Sequence, residues 1–100
     1  MLQIKEMSHE DLKAMMIGHE VNAIEAGFKD SEEFENFKYN ASMGMIKFGG
    51  SFTTYLGEAL ARADMYNSKR LINAFREMCE HHAKLFIQSN IARMEIEKDV

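Results

Sequence analysis

The sequence predicts an all-α domain: a four-helix bundle-like fold ending in a long helix. Three observations lead there. Apolar residues recur at spacings of 3 and 4, the period of one helix face. The chain has no proline, so connections are expected to be few and short. Glycines and cap-forming residues, at Gly27, Asp30, Gly49-Gly50 and Asp64, divide it into helix-length segments.

Residues 1–7 show no consistent periodicity and are expected to fray or to dock on a neighbour. The first helix is predicted at about 9–27. Ser8 with Asp11 three residues on is an acidic variant of a capping box, and Gly27 can end the helix. Asp30 with Glu33 repeats the start signal, placing the second helix at about 31–48. Gly49 is expected just past its end and Ser51 at the N-cap of a third helix, about 52–64. Phe52, Tyr55, Leu56, Ala59, Leu60 and Ala63 form its single apolar stripe, with Glu58 and Arg62 four apart outside it. A tight turn at Asp64–Asn67 leads to a fourth helix, about 68–98. Gly18, Gly44 and Gly57 fall inside helices, where each costs roughly 1 kcal/mol relative to alanine. Close helix packing is one reason to keep them and approach of a ligand is the other.

The stretch Gly50-Ser51-Phe52, Leu56-Gly57, Leu60, Ala63-Asp64, Asn67, Leu71 and Ala74-Phe75 resembles a pattern shared by a group of small bacteriophage and prophage proteins. The resemblance covers under a third of the chain. It implies a phage-type accessory protein and carries no activity and no site residue. Many members have a proline directly after the Ala-Phe pair; here Arg76 follows, and the helix is expected to continue.

A chain of 100 residues makes one domain with one small core. Net charge is −4 and uneven: residues 1–50 carry five Lys against nine acids, while residues 51–100 carry seven bases and seven acids. Without a basic stripe, nucleic acid is a poor partner. No apolar run approaches the ~20 residues of a membrane helix. The single cysteine, Cys79, fits a reducing compartment, and the start lacks a signal-peptide pattern, so the expected location is cytoplasmic.

The apolar faces are more numerous than four helices need. The first helix has two stripes, Leu12, Met15, Met16, His19, Ala23 and, opposite, Ile17, Val21, Ile24, Phe28. The second also has two: Phe34, Phe37, Ala41, Met45, Phe48 and Tyr39, Met43, Ile46. The last carries Leu71, Ile72, Phe75, Met78, Cys79, His82 and Phe86, after which the apolar positions shift to Ile87, Ile91 and Met94. Either the first two helices are central and wrapped, or one set meets a second protomer. A homo-oligomer is expected, most simply a two-fold dimer, with Ile87, Ile91 and Met94 in the interface. The rival is a break near Ser89-Asn90 that folds the last turns back.

Chemistry-bearing residues are sparse. Cys79, His82 and His19 share inward faces, but three such ligands without zinc-finger spacing read as buried groups, and no metal or cofactor is expected. Phe48-Gly49-Gly50-Ser51 lacks the lysine and spacing of a phosphate loop. The functional expectation is a non-enzymatic interaction protein, self-associating and able to bind a host protein. The alternative is a small-ligand binder for a nucleotide or other anion, with Lys69 and Arg70, placed in the first turn of the fourth helix, as the anion site.

Overall fold

A computed structural model describes the backbone of residues 9–98 and the side chains of residues 17–97. The expectations for residues 1–7, for Ser8 as a cap and for the side chains of Leu12, Met15 and Met16 lie outside them. Five helices follow in order: α1 (His9–Glu25), α2 (Ser31–Phe48), α3 (Ser51–Arg62), α4 (Met65–Ala74) and α5 (Arg76–Lys98). The fold is all-α, with no strand among the described residues.

Local chemistry accounts for most of the helix ends. Gly27, at φ 92°, closes α1: its N–H donates to Ile24 O, and Phe28 N–H reaches back to Ala23 O at 3.0 Å. This double bond is the Schellman arrangement, and the positive φ is the reason for glycine. Asp30 caps α2 by accepting from Glu33 N at 2.8 Å, while the Glu33 carboxylate accepts from Lys29 N. The first bond is that of a capping box, while the second reaches one residue further back, to Lys29 and not to the N-cap itself.

Two predicted caps differ. Gly50, not Ser51, is the N-cap of α3, with no side-chain cap bond; Ser51 is already helical. Gly49 has extended, not left-handed, backbone. Glycine is needed there for space, because a Cβ would lie 2.5 Å from Met45 O and 2.6 Å from Thr53 Cγ2.

The predicted fourth helix is two helices. Asp64 caps α4 by accepting from Asn67 N at 2.7 Å, so the helix starts at Met65 and not at Ser68. Phe75 then leaves helical geometry, at φ −124° and ψ 40°. Hydrogen bonds continue on both sides, from Phe75 N to Leu71 O and from Cys79 N to Phe75 O. The interruption is therefore a one-residue kink. It redirects the chain from α4, which packs against α1 and α3, onto α5, which crosses α2. The last helix runs unbroken past Ser89 to Lys98, so the fold-back at Ser89-Asn90 does not occur.

The core is centred on α2. Phe34, Ala41 and Met45 are fully buried with Leu60 of α3, Ile72 of α4 and Cys79 of α5. Small residues set the approach distances. A Cβ on Gly57 would meet Met45 Cβ at 2.8 Å and Ser42 O at 2.9 Å, so α3 lies directly on α2 there. Gly44, on another side of α2, abuts the His82 backbone of α5. Both glycines serve close packing; Gly18 meets nothing within 4 Å.

α2 is thus wrapped, and α1 is peripheral. α1 buries Ala23, with Ala26 buried just past its end, and leaves Ile17, Val21 and Ile24 exposed; His19, expected on an inward face, is also exposed. The radius of gyration, 16.0 Å, exceeds the about 13 Å of a compact chain of this length. No helix among the described residues is long and apolar enough to cross a membrane.

Candidate functional site

Two surfaces stand apart from the rest of the molecule. The first is the distal part of α5. Phe86 is the last buried residue, stacked edge-on against Tyr39 at 5.9 Å, and Ser89 still meets Lys47 Nζ at 3.4 Å. From Ile91 to Glu97 every residue is exposed. At 1.5 Å per residue this end extends about 10 Å beyond its support. Ile87, Ile91 and Met94 are 44%, 50% and 63% exposed. At 100° per residue they form one stripe about 60° wide. Glu95 flanks it on one side and Glu97 on the other, while Arg93 and Ile96 turn to the back. Helices in proteins owe most of their stability to packing of an apolar face, which this segment lacks among the described residues.

The second surface is an open depression of about 550 Å³ between α3 and α4. Its lining is Ala59 and Arg62 from α3, Ala63 from the connection, and Asn67, Arg70, Leu71 and Ala74 from α4. Four of the seven lining residues are apolar, three of them alanines. One arginine comes from each helix. Arg70 lies over the Tyr66 ring at 5.6 Å. Among the described residues, neither Arg62 nor Arg70 has a carboxylate within ion-pair distance. The predicted Glu58–Arg62 pair is not formed.

The sequence-predicted anion residues separate. α4 begins at Met65, so Lys69 and Arg70 lie in its second turn, and the argument from a helix N-terminus does not apply. Lys69 is ion-paired with Glu25 of α1. Arg70 instead shares the depression with Arg62, which periodicity places outside the apolar stripe of its helix, four residues from Glu58. No local pattern marks it; the juxtaposition is made by the turn at Ala63-Asp64.

The polar cluster at 76–82 is structural in character. The Arg76 guanidinium donates to Ala26 O at 2.5 Å and Asn73 Oδ1 at 2.8 Å, and lies 5.4 Å from the Phe28 ring centre. It thereby satisfies a free carbonyl at the end of α1 and ties that helix to the α4–α5 kink. Burial pushes the Cys79 thiol up to about 11, against a lowering by the Arg76 charge and with a further rise from Glu80. A thiol so held is neutral at pH 7 and a poor nucleophile. His82 Nδ1 pairs with Met78 O at 2.8 Å. Among the described residues no group of three or more His, Cys, Asp or Glu is arranged to hold a metal.

No protein-family model, curated protein or solved structure matches the chain.

Proposed function

We propose that this chain is a non-enzymatic interaction protein of the small phage or prophage accessory type, and that its first partner is a second copy of itself. It acts in the cytoplasm, without nucleic acid or membrane, as a two-fold dimer held by Ile87, Ile91 and Met94. The observation that carries this reading is the α5 stripe, three large apolar side chains aligned on a helix end and left exposed among the described residues. Contiguous exposed apolar surface on a small protein marks a contact. The second exposed stripe, Ile17, Val21 and Ile24 on α1, offers a separate surface to a host protein. The buried, neutral Cys79 gives no support to nucleophilic chemistry.

The test is the mass of the full chain in solution by sedimentation. The wild type is expected as a dimer, and Ile91→Glu with Met94→Glu as a monomer of unchanged helicity. A wild-type monomer at all concentrations would overturn the reading.

A second reading, a binder of nucleotides or other small anions, is favoured by one observation: Arg62 and Arg70 both line the depression and have no carboxylate partner among the described residues. It predicts a rise in Tm with a nucleoside triphosphate, through binding to the folded state alone. The rise should vanish in Arg62→Ala with Arg70→Ala.

A further inference from the structure

We infer that the seat for the projecting end of α5 is the α3–α4 depression of the second copy, with Glu95 and Glu97 of one protomer meeting Arg62 and Arg70 of the other. This rests on the self-association proposed above and specifies its geometry.

The two surfaces complement one another in three respects. The α5 stripe is apolar along its centre, at Ile87, Ile91 and Met94, and acidic on both flanks of its outer end, at Glu95 and Glu97. The depression is lined by apolar residues, Ala59, Ala63, Leu71 and Ala74, and by one basic residue from each helix, Arg62 and Arg70. Three of the apolar lining residues are alanines, which allow a helix to approach closely and leave room for long side chains such as Met94. Among the described residues each surface is open: the stripe is exposed, and the two arginines have no carboxylate partner.

The same features favour a helix over a small anion as occupant. The depression is open to solvent, most of its lining is apolar, and Arg62 and Arg70 are both exposed. Small-molecule sites instead enclose most of their ligand. Guanidinium–carboxylate pairs at such a rim set register and partner choice, while the apolar stripe supplies most of the affinity. Reciprocal exchange of the two α5 ends closes a two-fold dimer and leaves neither surface open.

Charge exchange tests the pairing in the full-length protein. Arg62→Glu with Arg70→Glu, and separately Glu95→Arg with Glu97→Arg, are each expected to weaken the dimer by at least about tenfold, measured by sedimentation equilibrium. All four side chains are exposed, so the fold should persist, which circular dichroism checks. The protein carrying all four changes is expected to regain the wild-type dissociation constant within a fewfold. Suppose Ile91→Glu with Met94→Glu dissociates the dimer while the arginine reversals leave it intact. Self-association would then stand, and the depression would not be its seat. Weakening by both reversals without recovery in the fourfold variant would also overturn the pairing. A wild-type monomer would remove the underlying reading itself.

Discussion

Gly44 of α2 lies against the backbone carbonyl group of His82 in α5, so closely that a Cβ would fall 2.6 Å from the carbonyl carbon. The obstacle is backbone, which cannot rotate aside as a side chain can. Gly44→Ala must therefore push α5 off α2, opening the contact around Met45 and Cys79 where both helices are fully buried. Overpacking of this kind costs typically 1–3 kcal/mol, and a backbone obstacle places it at or above the upper end. Gly18 is the internal control. It also sits inside a helix, but a Cβ there meets nothing within 4 Å. Gly18→Ala is expected to stabilise by up to about 1 kcal/mol through helix propensity alone. Urea unfolding of the two variants should move in opposite directions.

The caps make a second pair of opposed expectations. Asp64 accepts from Asn67 N, whereas Ser51 follows the N-cap and makes no cap bond. Asp64→Ala should cost about 1 kcal/mol. Ser51→Ala, at an exposed position, should change stability by no more than about 0.5 kcal/mol. Equal losses would return Ser51 to the capping role that its sequence position suggests.

Features with local causes are legible from sequence; features with tertiary causes are not. Asp30 and Glu33 are three residues apart and bond to adjacent backbone groups, so the start of α2 can be read directly. Gly27 is legible for the same reason. The kink at Phe75 is not, because nothing nearby breaks the helix: no glycine, no proline, and a continuous apolar stripe from Leu71 to Cys79. Its surroundings are contributed from a distance, with the Phe75 ring 6.2 Å from Phe52 and Arg76 drawn to the end of α1. The depression shares this origin. Arg62 and Arg70 are eight residues apart on different helices, and only the turn at Ala63-Asp64 brings both to the lining of one depression. The α5 stripe, by contrast, follows from periodicity alone, and its exposure agrees with the surplus of apolar faces.

Arg76 joins three elements through one side chain, by its bonds to Ala26 O and Asn73 Oδ1 and its position over Phe28. Arg76→Met keeps much of the hydrocarbon volume and removes the donors. The Ala26 carbonyl then loses its charged donor, at a cost of about 1.5–3 kcal/mol. The loss should be local. α1 is the peripheral helix, so its amide hydrogen exchange is expected to accelerate before that of α2. Uniform acceleration across all five helices would contradict a local tether.

Cys79 adds a pH-dependent contribution to stability on the alkaline side. Burial favours the neutral thiol in the folded state and raises its pKa from 9.0 to about 11. In the unfolded chain the thiol ionises at its ordinary value. Below about pH 9 both states carry the proton, and the full contribution to stability is present. Between about pH 9 and 11 the unfolded state releases its proton first, so it binds fewer protons than the native state and stability falls as pH rises. Other groups titrate in the same range, and the informative quantity is the difference between the wild type and Cys79→Ala. That substitution should cost about 1 kcal/mol at pH 7 through lost packing. The gap should narrow from pH 9 upward and reverse if the ionisation contribution exceeds the packing loss. A gap constant from pH 7 to 11 would mean that the thiol ionises equally in both states and is not held in the core.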